Sequence, residues 1–362
     1  MKKVGIVGAG IFGLESAKQL SQYGFDVTLF ERNEKILNEG TANSVLRLHL
    51  GLHYPRDLET AKQSIVGYGR FLEHYRDFVN LGFENYYAIA KSLSKIDNQE
   101  FRTFADKVGI PITEVPKSSL ETFGFDIGKV SAAWKCNEGV IDISELRIHF
   151  EKILQNKVKI HKSCEITKAY LNEAKWCLED SNGDIYEFDL IIQATYGTDR
   201  MVTPAEINPM RNYEYHKTLT LEIKCELANF GMTVIDGDFI TVLPKGFGDT
   251  LLIYGPNPSV LEKSIASEFP SAWEDKTSFN FNHAADKLVI RFREWFPYIA
   301  EIEVVNLLTT VRSIQPNMQA TDKRTSTVQE PVENFFTVWS GKIDHCVEIA
   351  ETILFRINQK VL

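Results

Sequence analysis

The sequence contains few cysteines and no long apolar run. Its five cysteines are an odd number, and no two of them have Cys-x-x-Cys spacing. This disfavours a disulfide framework or a zinc site and fits a reducing compartment. No stretch approaches the roughly 18 apolar residues of a membrane helix. The apolar stretch after Met1 is interrupted by glycines and lacks a small-residue cleavage site, so we expect a cytoplasmic protein without a signal peptide.

Positive charge is also scarce. The 40 lysines and arginines are outnumbered by 49 acidic residues, which leaves a formal net charge of -9. A protein that binds nucleic acid needs a basic surface, so we expect no nucleic-acid partner. Apolar residues make up 44% of the chain and charged residues 25%, as in soluble globular proteins. A chain of 362 residues suggests about two domains.

The first 31 residues have the pattern of a β-α-β unit. Residues 3–7 form an apolar run typical of a buried strand, and residues 11–23 have helical spacing. Residues 26–31 alternate as a second strand. Such a unit belongs in a parallel sheet, which predicts an α/β fold.

Strand and helix patterns continue along the chain and suggest a domain built from separated segments, with a second domain inserted. Residues 203–209 contain two prolines and resemble a crossover between the two. The predicted helices are 57–80, 143–155 (capped by Asp142 and Glu145), 284–295 and 343 to about 358. The predicted strands are 157–161, 164–170, 175–179 and 189–194, with a hairpin turn at 181–184 and mainly strands over 213–255.

A glycine-rich turn, GAGIFG at residues 8–13, joins the first strand to the first helix. Gly8 allows a tight turn, Gly10 lets the backbone approach a pyrophosphate, and Gly13 lets the helix pack on the strand. The helix N-terminus then offers free N–H groups to phosphates. The alternative is a turn without a ligand. The predicted cofactor-binding residues here are Gly8, Ala9, Gly10, Ile11, Phe12 and Gly13.

Glu31 ends the second strand at the distance from the turn that a ribose-binding acid requires. Its carboxylate can accept hydrogen bonds from a ribose diol. Its charge would repel a 2′-phosphate and therefore disfavours NADP. Glu31 and the neighbouring Arg32 are both predicted to contact the cofactor.

Between residues 46 and 53 every second residue is leucine, which predicts a strand with one apolar face and one polar face. The polar face has a gap at Gly51 where a flat ring could approach. The alternatives are a half-exposed strand, or a metal site that would lack a third ligand. The polar residues are Arg47, His49, Gly51 and His53, followed by Tyr54 and Arg56.

Four segments give the sequence a family resemblance. The first is the glycine turn with Glu31. The second is TANSVLRLHLGLHYP at 41–55, with an Asn-Ser pair and then His-x-Gly-x-x-Tyr. The third is 138–154 with DLIIQATYG at 189–197, where Tyr196 interrupts an Ala-Thr-Gly. The fourth is the C-terminal part, with Arg312, Pro316, Asp322 and SGKID at 340–344.

In these segments the chain resembles the D-amino-acid oxidase-like (DAO) superfamily of FAD-dependent oxidoreductases, which includes glycine oxidase, sarcosine oxidase and L-2-hydroxyglutarate dehydrogenase. The resemblance implies a Rossmann-like FAD-binding domain of the glutathione-reductase type with an inserted, mainly antiparallel substrate domain. We expect the FAD-binding domain at 1–84, 138–204 and 305–362, and the substrate domain at 85–137 and 205–304.

The resemblance also implies FAD contacts beyond the glycine turn. Gly341 and Lys342 precede the last helix, whose N-terminus and lysine charge would stabilise the anionic reduced flavin at its N1–C2=O edge. Covalent attachment of the flavin at Cys346 is a further alternative. The additional predicted FAD contacts are Thr41, Asn43, Ser44, Ala194, Thr195, Gly197, Gly341, Lys342 and Ile343.

The expected reaction is hydride transfer to flavin N5 from a carbon that bears an amine or a hydroxyl, in a small amino or hydroxy acid. His49 or His53 would accept the substrate proton. The residues expected to hold a substrate anion or reach the pocket are Arg47, Arg56, Arg312, Tyr54 and Tyr254.

Three other functions remain open from the sequence. The enzyme could oxidise a larger sugar or biosynthetic intermediate, the protein could bind flavin without catalysis, or it could be an NAD-only dehydrogenase. The electron acceptor is likewise open among oxygen, a quinone and an electron-transfer protein.

Overall fold

The computed structural model describes residues 1–196, 213–227, 229–267, 269–270, 273, 280–314, 323–339 and 341–360. Gly197, the predicted crossover at 203–209, Pro316, Asp322 and Ser340 lie outside the described residues. None of the helices in the described part of the chain is both long and apolar enough to cross a lipid bilayer.

The described part of the chain combines helices with a larger number of strands. The helices are α1 (Ile11–Gln22), α2 (Leu58–Tyr75), α3 (Asn98–Val108), α4 (Ile143–Leu154), α5 (Pro256–Ser259), α6 (Phe281–Trp295) and α7 (Cys346–Gln359). The strands are β1 (Lys3–Val7), β2 (Asp26–Phe30), β3 (Arg47–Leu48), β4 (Val79–Asn80), β5 (Glu84–Ala90), β6 (Thr113–Val115), β7 (Val130–Lys135), β8 (Gly139–Ile141), β9 (Lys159–His161), β10 (Ile166–Asn172), β11 (Lys175–Asp180), β12 (Ile185–Phe188), β13 (Leu190–Gln193), β14 (Tyr213–Lys224), β15 (Phe230–Ile235), β16 (Thr241–Pro244), β17 (Leu251–Tyr254), β18 (Val260–Ala266), β19 (Glu303–Ile314), β20 (Thr327–Val332) and β21 (Phe335–Trp339).

A six-stranded sheet collects strands from distant parts of the chain in the order β20-β21-β13-β1-β2-β9. Strand β1 pairs in parallel with β2 on one side and with β13 on the other. The predicted β-α-β unit and parallel sheet are therefore confirmed. Helix α1 buries Leu14, Ala17 and Leu20 beneath this sheet, which is the apolar face that its spacing predicts.

The predicted helix at 57–80 ends earlier than expected, at Tyr75. A 3-10 turn over Arg76–Phe78 follows, and β4 then pairs antiparallel with β8. Helical spacing alone does not reveal this pairing because the partner strand lies about 60 residues further along the chain. At the other end, the Asp57 side chain caps the helix by accepting from the Thr60 N–H.

Other local predictions are confirmed. The Asp142 side chain caps α4 by accepting from the Ser144 and Glu145 N–H groups. Gly183 adopts a φ of 88° in the turn between β11 and β12, where the hairpin was expected. The last helix is also present, with a 3-10 turn over Ile343–His345 followed by α7.

A nine-stranded sheet forms the second layer of the molecule, in the order β18-β14-β17-β16-β15-β5-β7-β6 with β19 paired to β14. Helix α6 packs on it and contributes Leu288 and Phe292 to a separate apolar core. Because β19 pairs with β14 along its whole length, we propose that the substrate domain extends to residue 314, beyond the boundary at 304 that the sequence suggests.

The predicted strand at 46–53 is wrong. Only Arg47 and Leu48 form a strand, and Leu46 and Gly51 have φ angles of 53° and 96°. The four leucines are all buried, but Leu46 and Leu48 pack in the core of the six-stranded sheet. Leu50 and Leu52 pack in a different core that includes Tyr87 and Ile89 of β5. The segment must bend because its apolar residues serve two cores.

Gly51 also has a different role from the one expected. A Cβ at this position would lie 2.7 Å from the carbonyl oxygen of Ala61 in α2. The absent side chain therefore allows the chain to pass close to a helix. It does not form the gap for a flat ring that alternation predicted.

Candidate active site

A cavity of about 1400 Å³ extends from the glycine turn of the six-stranded sheet to the polar face of the nine-stranded sheet. This exceeds the roughly 300–1,000 Å³ of an ordinary small-molecule pocket. Its length and volume fit an elongated cofactor together with a substrate.

The glycine turn of residues 8–13, which lies at one end of the cavity, has the predicted backbone geometry. Gly8 has a φ of 99°, and a Cβ there would lie 2.6 Å from the Ala194 carbonyl oxygen. A Cβ on Gly13 would lie 1.9 Å from the Gly8 carbonyl oxygen, so only glycine lets α1 pack this closely. Gly10 lines the cavity, and a Cβ there would meet only Thr41 Oγ1 at 3.3 Å. Space is thus left on the cavity side of Gly10, as a pyrophosphate requires.

Helix α1 begins at this turn without a side-chain cap. The Ile11 N–H makes a long hydrogen bond of 3.3 Å to Thr41 Oγ1, and the first turn contains no acidic residue. The N–H groups and the positive end of the helix dipole therefore face the cavity, where a phosphate would bind. Gly8, Gly10, Ile11 and Phe12 line the cavity, whereas Ala9 and Gly13 lie behind it.

Glu31 connects the second strand to the glycine turn. Its Oε2 accepts from the Ala9 N–H at 2.9 Å, and its Oε1 accepts from the Asn33 backbone and side chain at 2.9 and 2.8 Å. A carboxylate oxygen has two lone pairs, so capacity remains for a ribose hydroxyl. Arg32 also lines the cavity, with its guanidinium 3.4 Å from the Glu39 carboxylate.

The segment at 41–44 contributes two of its three predicted residues to the cavity, Thr41 and Ser44. Asn43 does not line the cavity. Its side-chain amide donates to the Asn38 carbonyl oxygen at 3.2 Å and so holds the loop in shape. We therefore assign Asn43 to loop structure.

At the end of β13, Ala194 and Thr195 line the cavity as predicted, and Tyr196 lies beside them. Tyr196 has a φ of 60°, and its ring lies 3.0 Å from where a Cβ on Gly40 would be. Burial raises the pKa of this phenol, which keeps it neutral. Sequence reasoning registered Tyr196 only as an interruption of the Ala-Thr-Gly pattern.

The Gly341-Lys342-Ile343 segment also lines the cavity, as predicted. A Cβ on Gly341 would lie 1.7 Å from the Arg324 carbonyl oxygen, so this position requires glycine. The Lys342 ammonium lies 3.4 Å from His49 Nε2 and 4.4 Å from the centre of the Tyr54 ring. Burial lowers the pKa of Lys342 to about 7.

A buried carboxyl group lies directly behind Lys342. Both carboxylate oxygens of Asp344 are buried without a hydrogen-bond partner, and His345 Nε2 is 3.6 Å from one of them. Burial raises the pKa of Asp344 to about 8 and lowers that of His345 to about 3. The imidazole is therefore neutral. Burial makes Lys342 release its proton more readily than usual and makes Asp344 retain its proton more firmly, so both groups can exchange protons near neutral pH. Asp344 ends the SGKID segment at 340–344, but no role in the site was predicted for its side chain.

His49 and His53 face the cavity with their ring centroids 6.0 Å apart. Burial lowers both pKa values well below 6.5, and the charges of Lys342 and Arg47 lower them further. Both rings are therefore neutral at pH 7, and each Nδ1 is buried without a hydrogen-bond partner. They can accept or donate a hydrogen bond, but they are weak bases.

Arg47 lines the cavity but belongs to a buried ion-pair network. Its guanidinium donates to the Tyr87 hydroxyl and to Thr233 Oγ1, and lies 3.5 Å from Glu138 Oε2. Glu138 accepts from the Tyr87 hydroxyl and from the Leu50 N–H, both at 2.7 Å. This network occupies both terminal nitrogens of Arg47, which was expected to hold a substrate anion, and leaves its buried Nε without a hydrogen-bond partner. Sequence reasoning missed Glu138 because its partners lie on three separate elements.

Arg56 does not line the cavity. Its Nε donates to Asp236 Oδ2 at 2.6 Å, in a partly buried ion pair. Asp236 does line the cavity, so Arg56 is linked to the cavity wall through this ion pair.

Tyr254 and Arg312 form a polar pair on the nine-stranded sheet, facing the cavity. Arg312 Nη1 donates to the Tyr254 hydroxyl at 2.9 Å, and the guanidinium lies 4.3 Å from the centre of its ring. The charge of Arg312 also lowers the pKa of His53, so the two groups lie within electrostatic range across the cavity. Of the predicted arginines, Arg312 is the one best placed to meet a substrate anion.

Known proteins are similar to this chain in sequence and in fold. FAD-dependent monooxygenase FPY4 of Fusarium mangiferae is 26% identical over 366 residues, covering 99% of this chain and 91% of that protein. Glycine oxidase of Bacillus cereus superposes with a TM-score of 0.77 at 13% identity, over 99% and 96% of the two chains. L-α-Glycerophosphate oxidase of Mycoplasma pneumoniae, solved with FAD bound, gives 0.75 at 19%, over 99% and 95%.

The structural likenesses at these identities show the fold, which is the predicted Rossmann-like fold of FAD-binding oxidoreductases. The family is shown by the sequence. The family model described as FAD dependent oxidoreductase (DAO) matches residues 3–336. The chain therefore belongs to the DAO family of FAD-dependent oxidoreductases and is an enzyme that uses FAD.

Proposed function

We propose that this enzyme oxidises a small amino or hydroxy acid at the carbon that bears the amine or hydroxyl. The observation that carries the proposal is the Arg312–Tyr254 pair, which faces the neutral His49 and His53 across one cavity. When bound, FAD supplies the hydride acceptor. The protein then has to hold the substrate and manage its proton.

In this proposal, Arg312 binds the substrate carboxylate. Its guanidinium is fixed by the Tyr254 hydroxyl and ring, so little side-chain freedom is lost when the anion binds. A planar guanidinium also matches a carboxylate with two parallel hydrogen bonds. The substrate carbon would then lie between Arg312 and the two histidines.

The glycine turn, Glu31 and the N-terminus of α1 would hold the pyrophosphate and ribose end of FAD, with Thr41, Ser44, Ala194 and Thr195 along its length. Lys342 and Gly341 would meet the flavin at the other end of the cavity. The Lys342 ammonium would favour the reduced, anionic form of the flavin.

A second candidate is oxidation of a larger molecule. It is supported by the cavity volume of about 1400 Å³ and by the Fusarium relative, which is named as an FAD-dependent monooxygenase. If the larger molecule is oxidised directly, it would bleach the flavin and small acids would not. If the reaction is a monooxygenation, a nicotinamide cofactor would reduce the flavin.

The proposed function is tested by anaerobic mixing of the purified yellow enzyme with small amino and hydroxy acids. We expect flavin absorbance near 450 nm to disappear with at least one of them. Replacing Arg312 with Lys should raise the substrate concentration for half-maximal bleaching by about 10–100-fold, because a charged hydrogen bond contributes about 1.5–3 kcal/mol. Lys224→Arg, at an exposed ion pair, is the control. Bleaching by NADH or NADPH alone would contradict the proposal.

The role of Lys342 is tested by the flavin reduction potential. Lys342 is charged below a pH of about 7 and neutral above it, because burial lowers its pKa. Lys342→Met should therefore lower the potential at pH 6, by on the order of 30 mV (1.4 kcal/mol for two electrons), and less at pH 8.5. Lys162→Met, in an exposed ion pair with Glu151, should change neither value. An equal shift of the reduction potential at both pH values would show that the charge of Lys342 does not change between pH 6 and pH 8.5, and would contradict this prediction.

A further inference from the structure

A histidine and a glutamate on β14 form a buried pair that the proposed function has not used. His216 Nε2 lies 2.6 Å from Glu214 Oε1, and both residues are more than nine-tenths buried. Residues two apart on a strand share a face, and His216 lines the cavity. A carboxylate only accepts hydrogen bonds, so the neutral imidazole carries its proton on Nε2 and keeps the Nδ1 lone pair as a base.

The position of this pair connects it to the substrate end of the cavity. His216 is the direct register partner of Arg312 on β19 and of Lys263 on β18. The charge of Arg312 lowers the pKa values of both His216 and His53, so Arg312 lies within electrostatic range of each. A substrate anion held by Arg312 would therefore lie beside His216.

The three cavity-lining histidines of the described chain differ in basicity. Burial lowers the pKa of His216, as it does for His49 and His53, and the cations Lys263 and Arg312 lower it further. The Glu214 carboxylate opposes these effects and raises the pKa of His216. For His49 the neighbouring groups that shift the pKa are Lys342, Arg47, His53 and His345, and for His53 they are four cations; all of them lower the pKa, and no carboxylate opposes them. His216 is the histidine of the three that is built to accept a proton.

The need for such a base depends on the group that is oxidised. An α-amino group loses its proton in water at a moderately basic pH (its pKa is about 8 in a peptide and higher in a free amino acid), so a fraction of the neutral amine forms without help from the enzyme. A hydroxyl proton is far less acidic, with water at 15.7 as a reference. A buried base next to the substrate anchor is therefore expected when the reacting carbon bears a hydroxyl.

We propose that His216 is the catalytic base that removes the hydroxyl proton of the substrate, that Glu214 is its positioning residue, and that this enzyme oxidises an alcohol carbon of a hydroxy acid in preference to an amine. The inference rests on the proposed function. The O–H proton passes to His216 Nδ1, the C–H hydrogen leaves with its electron pair as hydride to the bound FAD, and the C–O single bond becomes C=O. The imidazolium that forms is stabilised by the Glu214 carboxylate.

The proposal is tested by anaerobic stopped-flow reduction of the holoenzyme with matched pairs, namely glycolate and glycine, L-lactate and L-alanine, and L-2-hydroxyglutarate and L-glutamate. We expect faster bleaching by the hydroxy acid of a pair. His216→Gln should slow it by about 10²–10⁴-fold, as removal of a general base does. His74→Gln, at an exposed histidine on α2, should have the wild-type rate.

The pH dependence separates a base from a merely structural residue. The wild-type rate should fall as pH drops through the pKa of His216. In Glu214→Gln this fall in rate at acidic pH (the acid limb of the pH profile) should move to lower pH, because the carboxylate that raises the pKa of His216 is gone. In His216→Gln the acid limb should disappear. Histidine-selective NMR of the same proteins identifies the His216 signal as the one that is lost in His216→Gln. In Glu214→Gln this signal should titrate at a lower pH than in the wild type. Flavin content and circular dichroism report whether each variant is folded.

Three outcomes would overturn the proposal. Bleaching by amino acids alone would remove the hydroxyl assignment and leave the proposed function intact. An acid limb and a His216 signal that Glu214→Gln does not move would remove the pair from the mechanism. No bleaching by either class of acid would contradict the proposed function itself, and this inference with it.

Discussion

Gly10→Val is expected to produce a folded protein that purifies without flavin. Gly10 has a φ of -72° and a ψ of 179°, which any residue adopts, so the substitution introduces no backbone strain. A Cβ at this position meets only Thr41 Oγ1, at 3.3 Å. The valine side chain would instead occupy the cavity above the N-terminus of α1, where the pyrophosphate would bind. We expect at least a 100-fold loss of FAD affinity, on the order of 3 kcal/mol.

The measurement is the ratio of absorbance at 450 nm to that at 280 nm after purification, followed by titration of the apoprotein with FAD. Gly69→Val is the matched control, because Gly69 lies exposed on α2 and a Cβ there contacts nothing within 4 Å. It should remain fully yellow. If Gly10→Val retained the wild-type flavin content, the cofactor site assigned to this turn would be wrong.

Glu138→Gln is expected to cause the largest loss of stability. Glu138 is buried, carries the counter-charge of Arg47, and accepts hydrogen bonds from Tyr87 and from the backbone of Leu50. The glutamine would keep the shape but leave the Arg47 guanidinium buried without an anion. Breaking a buried ion pair in this way costs about 3–5 kcal/mol. Urea unfolding of the apoprotein, followed by circular dichroism, should show a correspondingly lower midpoint.

The control for this loss of stability is a variant that removes a solvent-exposed ion pair. Glu151→Gln removes the partner of Lys162 at 2.6 Å, and both side chains are exposed. Exposed pairs contribute about 0–1 kcal/mol, so its midpoint should barely move. The double variant Arg47→Met with Glu138→Leu should recover part of the lost stability, because no charge is then buried alone. A Glu138→Gln midpoint equal to that of Glu151→Gln would contradict the proposed importance of the network.

The parts of the site that were predicted from the sequence depend on neighbours in the chain. Gly8, Gly10 and Gly13 lie within six residues, and the reason for each is local: a positive φ, an approach to the backbone, and helix–strand contact. Gly341 and Lys342 were predicted from the family resemblance of a short segment that directly precedes the last helical part of the chain.

The segment at 46–53 shows where such reasoning fails. Strict alternation is the signature of a strand with one buried face, and all four leucines are indeed buried. The error came from assuming one core, whereas Leu48 and Leu50 pack into different cores. Which core a residue joins depends on elements such as β5 and α2, and a single stretch of sequence contains no information about their positions.

The sequence by itself predicted a dinucleotide site at the glycine turn of residues 8–13 and identified the family, which the match of the family model to residues 3–336 confirms. Both inferences depend on short-range spacing. The tertiary structure alone decided that Arg47 is paired with Glu138, 91 residues away, and that both carboxylate oxygens of Asp344 are buried behind Lys342 without a hydrogen-bond partner. It also placed His216 of β14 beside Arg312 of the adjacent strand β19. These contacts form between residues that are far apart in the sequence. Burial then changes their charge and basicity, and burial exists only once the chain has folded.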